Sequence, residues 1–145
     1  MIATAVAKYL DAQVAGITLS STAGAGNIFL ARMPDTPDEA VAVMPQPGLP
    51  ALDKTPTDQP VVQVLVRGGK PTPMGGYARA RAIYDALHCL DGVLLDDGGD
   101  DEVFVIGCTA QQSDPIPLGP DALERPEWSL NFQLTTHSPT THRTA

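Results

Sequence analysis

At 145 residues the chain has the length of one domain, enough to bury roughly 68–70% of the surface that its unfolded form would expose. Its net charge of −8, with only nine Lys and Arg scattered along the sequence, argues against tight binding to a phosphate backbone. Apolar residues at 43%, charged residues at 18%, and 14 Pro with 13 Gly suit a sheet with long connections better than a helical bundle.

In chain order, residues 2–14 read as an amphipathic helix, because Ile2, Val6, Leu10 and Val14 recur every four residues and Gly16 stands where it would stop. A small, polar loop follows over residues 20–27. Residues 28–33 and 40–44 read as two strands. The Met33-Pro-Asp-Thr-Pro-Asp38 turn between them predicts a hairpin. Residues 45–60 hold five prolines and almost no periodicity, which predicts a long surface loop, a candidate contact arm in an assembly protein. Residues 61–67 are apolar on both faces, with Val62, Val64 and Val66 opposite Val61 and Leu65, as expected of a central strand.

The clearest helix covers residues 77–91, with Ala80, Ile83, Tyr84, Leu87 and Leu90 as its apolar stripe and Gly92 as its cap. Residues 93–95 form a short strand, residues 96–101 an acidic turn, and residues 103–109 a strand whose core face is expected to be Phe104, Ile106 and Cys108. A second loop, over residues 111–127, contains four prolines. Residues 128–136 close the sheet. Trp128, Leu130, Phe132 and Leu134 alternate there with Ser129, Asn131, Gln133 and Thr135, the period of a half-buried antiparallel strand. Its polar side is suited to facing water or a lumen.

Runs of strands separated by single helices predict an α+β fold: one mostly antiparallel sheet with two helices packed on one face. Residues 1–136 are expected to form a single domain and residues 137–145 a C-terminal extension. A tail of this composition is free unless neighbouring subunits hold it. The sequence has no apolar run of the ~18 residues that a membrane span needs. Its N-terminus lacks the pattern of a signal peptide, so the protein is expected to be made and used in a cytoplasm.

Little in the sequence points to catalysis, a cofactor or a metal. His88, His137 and His142 lack the spacing of a metal site and read as solvated or rim residues. Cys89 and Cys108 read as buried core thiols. Arg67-Gly-Gly-Lys-Pro-Thr72 has Val64 where a phosphate loop needs its first glycine, and Pro71 after the lysine, so it reads as a turn. The carboxylates of residues 96–102 lack the alternating ligand spacing of a calcium loop. Their mutual repulsion predicts an extended, mobile turn.

Three stretches, in order, resemble the tailed-bacteriophage tail terminator family, also known as phage minor capsid proteins. The first is Phe29-Leu-Ala-Arg-Met-Pro-Asp-Thr-Pro-Asp38 with Ala40-Val-Ala-Val43 and Pro47-Gly48. The second is Val62-Gln-Val-Leu-Val-Arg-Gly68 followed by Tyr77-Ala-Arg-Ala-Arg-Ala-Ile-Tyr-Asp-Ala-Leu-His88. The third is Leu118-Gly-Pro-Asp121 followed by Trp128-Ser-Leu-Asn-Phe-Gln133. Together they span most of residues 1–134.

The resemblance implies a non-enzymatic virion protein that forms a ring, a hexamer in this family, on the head-proximal end of the tail tube. Such a ring stops tube polymerisation and joins the tail to the neck. It implies three partners: further copies of the chain, the tail tube protein, and a head–tail connector or stopper protein. DNA would pass through the lumen without specific binding, and six acidic subunits suit such a channel. Two alternatives stand beside this reading. One is another neck component, such as a stopper or tail-completion protein. The other is a small cytoplasmic ligand-binding α+β domain, which would need a pocket with convergent polar groups.

Overall fold

The computed structural model describes residues 1–20, 25–51, 53–69 and 73–144. Helix α1 (Ile2–Gln13) places Ala3, Val6, Ala7 and Leu10 on one face, all of them fully buried. This i, i+3, i+4, i+7 spacing gives a helix a single apolar stripe, and the small alanines let it lie close to a sheet. The chain leaves α1 through Val14, which is extended, and Gly16, which takes φ +84°. Helix α2 (Tyr77–Leu87) buries Ala80, Ile83 and Leu87 in the same way.

Seven strands form one sheet: β1 (Ile28–Leu30), β2 (Ala40–Leu49), β3 (Thr57–Arg67), β4 (Asp91–Leu95), β5 (Val103–Ala110), β6 (Ile116–Pro120) and β7 (Pro126–His137). The order across it is β1-β2-β3-β7-β5-β4, and β6 also pairs with β7. Every pairing is antiparallel except β1–β2. The expected α+β architecture with a mostly antiparallel sheet is the one observed.

The two long strands β3 and β7 form its centre. Val62, Val64 and Val66 alternate inward on β3, as Trp128, Leu130, Phe132 and Leu134 do on β7. These side chains join those of α1 and α2 in one continuous core. Each fully buried side chain of this kind contributes about 1.5–3 kcal/mol through removal of apolar surface from water. Both helices lie on that face, and among the described residues no helix covers the other. At the junction of β3 and α2, a Cβ on Gly68 would stand 2.2 Å from the Gly75 carbonyl, so only glycine lets the two backbones pass.

Several expectations are overturned. The strands β1 and β2 are parallel, not a hairpin. Because β1 is only three residues long, the nine residues 31–39 suffice to carry the chain back to its starting level. At the two ends of the expected 45–60 loop, residues 45–49 and 57–60 are strand. Val41 donates to the Asn27 carbonyl and the Val43 carbonyl accepts from Ala31, so positions 41 and 43 direct their backbone groups away from β3. Pro45 and Pro47 continue that register. They therefore sit where the edge strand has no partner to receive an N–H. Further along, Gly48 at φ +65° faces the Gln59 carbonyl at a bulge where a Cβ would lie 2.2 Å away. In the other proline-rich stretch, residues 116–120 form β6.

Helix α2 ends at Leu87, so Gly92 does not cap it and lies instead in β4. The helix gives way to pairing with β5. His88 Nδ1 accepts from the Ala110 N–H at 3.1 Å, and the Cys89 N–H donates to the Cys108 carbonyl at 2.9 Å. On β5 the core face is Val103, Val105 and Cys108, while Phe104 and Ile106 are exposed. A bulge between Val105 and Gly107 adds one residue and shifts the alternation. The C-terminal residues are held within the subunit, because the Arg143 guanidinium pairs with Asp58 at 2.8 Å and donates to the Thr55 carbonyl.

Candidate functional site

The most heavily bonded polar cluster sits at the β1–β6 end of the sheet. Arg67 at the end of β3 and Arg125 just before β7 are each 2% exposed. Arg67 donates to the carbonyls of Asp38 (2.8 Å) and Pro37 (2.6 Å). Arg125 bonds the Asp121 carboxylate at 2.8 and 2.9 Å, the Asp35 carbonyl at 2.6 Å and Asp38 at 3.1 Å.

Asp121 accepts further N–H bonds from Leu123 and Arg125. Chiefly through the Arg125 backbone bond, its pKa falls to about 2. Burial lowers the pKa of Arg67, with the Arg125 charge adding to the effect, and burial raises that of Glu127. The cluster is a clasp. It fastens the 31–39 connection and the 121–125 turn over one end of the sheet, and its cations are occupied by the protein's own oxygens.

At the opposite end the acidic turn is structured rather than extended. The Lys8 ammonium reaches Asp96 at 2.9 Å and Asp101 at 3.6 Å, and the N-terminal ammonium also pairs with Asp101. Asp96 accepts from the Asp101 N–H at 2.9 Å, and Glu102 accepts from the Gly98 N–H at 2.7 Å. Both aspartates have lowered pKa values, Asp96 mainly through its bond to Lys8 and Asp101 through the N-terminus. The repulsion expected from the sequence is offset by two cations contributed by α1, distant in the chain.

Among the described residues, no three His, Cys, Asp or Glu are grouped so as to hold a metal, and no helix is long and apolar enough to cross a membrane. His88 stacks on Tyr84 at 5.0 Å, and His137 ends β7 opposite Phe104. Cys108 is buried, which raises its thiol to about 12, whereas Cys89 is exposed at the end of α2. Within the glycine-lysine turn, Lys70, Pro71 and Thr72 lie outside the described residues, and Arg67 is committed to the clasp.

What the sequence did not reveal is surface. A groove of ≈ 520 Å³ runs beside β6, walled by Met74, Pro117, Pro120, Pro126 and Trp128. The Trp128 indole donates to the Gly75 carbonyl at 3.0 Å and meets Tyr77 edge-on at 5.2 Å. Glu124 and Glu127 also line it and give this otherwise apolar groove an acidic side. Around it Ile116, Leu118 and Leu123 are 40–50% exposed.

The second surface is the helix-free face of the sheet. It presents Val61, Gln63 and Leu65 on β3, Asn131, Gln133 and Thr135 on β7, and an apolar corner where Leu94 of β4 lies directly opposite Phe104 of β5. Leu94, Phe104 and Ile106 at this corner are 42%, 38% and 45% exposed.

A family model described as "Bacteriophage tail terminator protein" matches residues 9–137, from within α1 to the last residue of β7. No curated protein matches the chain.

Proposed function

This chain belongs to the bacteriophage tail terminator family, and we propose that it forms a ring, a hexamer, that caps the head-proximal end of the tail tube. It is a structural protein of a phage tail. In the proposed role the ring halts addition of tube subunits and offers its other side to a connector or stopper protein of the neck. Assembly would take place in the host cytoplasm.

The observation that carries this reading is the family match across the whole sheet, α2 and the last part of α1. The electrostatics agree with it. At −8 per subunit, with Arg67 and Arg125 buried in their own clasp, few of the nine Lys and Arg are left to hold passing DNA.

Light scattering on the purified chain, alone and mixed with tail tube protein, tests the proposal. A ring-sized species, formed spontaneously or only in the presence of tube, is the expected result. A strict monomer indifferent to tube would overturn it.

A further inference from the structure

Past β7 the chain folds back on its own subunit. The Ser138 N–H donates to the Pro56 carbonyl at 2.8 Å, one step beyond the last pairing of β3 with β7. Thr140 and Arg143 then exchange backbone bonds of 2.9 and 3.3 Å. This closes a tight turn and returns the Arg143 side chain to the start of β3.

The guanidinium there is used as a fork. Its Nε donates to the Thr55 carbonyl at 2.9 Å, and Nη2 donates to the Thr57 carbonyl at 3.3 Å. Nη1 and Nη2 each meet one oxygen of the Asp58 carboxylate, at 2.9 and 2.8 Å. A guanidinium carries its donors in fixed, coplanar directions, and two carbonyls beside one carboxylate match that geometry.

The rest of the segment gives little hold. Residues 138–144 contain no large apolar side chain, and Pro139, Thr140, Thr141, His142 and Thr144 are exposed. The side chains of the ion pair are themselves 28% and 41% exposed. A segment held by polar contacts at the surface opens locally far more readily than a packed core. Its contacts also shape the surface beside it, because Asp58 and Ser138 line a groove of ≈ 470 Å³ together with Met1, Ile2 and Asp101.

We infer that residues 138–144 are a strap latched by Arg143. Closed, the strap holds residues 53–58 and the start of β3 in place and fixes the Asp58 and Ser138 part of the groove. When the Arg143 contact is lost, the strap and residues 53–58 open as one unit while the sheet stays folded. Opening frees the Thr55 and Thr57 carbonyls and the Asp58 carboxylate together. The strap lies beyond the residues matched by the family model, and its action does not depend on the ring reading.

Hydrogen exchange on the full chain, with Arg143→Ala, Arg143→Lys and Asp58→Asn, tests the latch. Arg143→Ala should speed exchange over residues 53–59 and 137–143 by about tenfold or more, because a charge-assisted fork is lost. The central amides of Val62 and Leu130 should keep the parent's rate. Arg143→Lys should recover only part of the protection, since an ammonium cannot span two carbonyls and a carboxylate at once. Arg143→Ala combined with Asp58→Asn should open no faster than Arg143→Ala alone, because both substitutions remove the same contact.

Unchanged exchange over residues 53–59 in Arg143→Ala would overturn the latch, since the tail and the connection would then open independently. So would equal acceleration at Val62 and Leu130, which would make the strap part of the cooperative fold. Additive effects in the double variant would overturn it as well.

Discussion

The two faces of the sheet are made by the same strands and meet opposite fates. On the covered face Phe132 is fully buried among α1, α2 and its strand neighbours. On the other, Phe104 lies one strand away and is 38% exposed. Both are phenylalanines in strands with similar neighbours, so residue type does not separate them. What separates them is which side the helices took, and a bulge that moved β5 out of its expected phase. That bulge leaves Phe104 and Ile106 38% and 45% exposed on the side without helices.

The contrast is broken most severely from the covered side. Phe132→Ala should destabilise the fold by about 3–5 kcal/mol in urea unfolding, from lost transfer energy and the cavity left in a close-packed core. The next largest effect tests the one end of the helix-free side that is covered. Arg67 points to that side, and the 31–39 connection closes over it through the Pro37 and Asp38 carbonyls. Arg67→Met should cost about 1–3 kcal/mol, because two acceptors lose a charged donor where little water can replace it. The loss should fall together with the ordering of residues 31–39 in hydrogen exchange.

The covered side was legible in the sequence because helical and strand periods are direct signals of burial. Residues 2–14 and 77–87 have the 3.6 spacing. Val62, Val64 and Val66, with Trp128 to Leu134, have the period of two. The other side was not legible, for three physical reasons. Pro45, Pro47 and Pro117 look like loop residues, yet an edge strand tolerates proline where no N–H is needed. The Met33 to Asp38 turn reads as a hairpin, and nothing local states that β1 is short enough for a parallel return. A bulge leaves no mark in an alternating sequence, so Phe104 and Ile106 were placed on the wrong side.

The clasp and the salt bridges of the acidic turn were hidden for a related reason. Arg125 meets Asp35, and Lys8 meets Asp96, only after the sheet has brought distant segments together.

Acid should open the clasp before it affects the core. Asp121 has a folded pKa of about 2 against an ordinary value of 3.8. A carboxylate whose pKa is depressed by folding stabilises the fold fully above its unfolded value, and that contribution is lost as pH falls through the folded one. Stability should therefore decline between about pH 4 and pH 2, and Asp121→Asn should flatten that part of the profile while leaving neutral-pH spectra native-like. An acid profile unchanged by Asp121→Asn would mean that the Arg125 bonds do not outlast solvent competition.

The smallest effect on stability is the sharpest for the comparison. Phe104→Ser removes a ring that is already 38% exposed and packs against no helix. Thermal unfolding should move by no more than about 0.5 kcal/mol, the range of a surface substitution. The same deletion on the covered face costs several times more, so the ratio of the two measures how differently one sheet treats its sides. If Phe104→Ser instead destabilises the isolated subunit as much as Phe132→Ala does, the corner is a satellite of the core and has no free surface to offer a neighbour. If it leaves the fold intact and weakens self-association, the aromatic ring is held outward for another copy, and the bulge at Val105–Gly107 is the feature of β5 that puts it there.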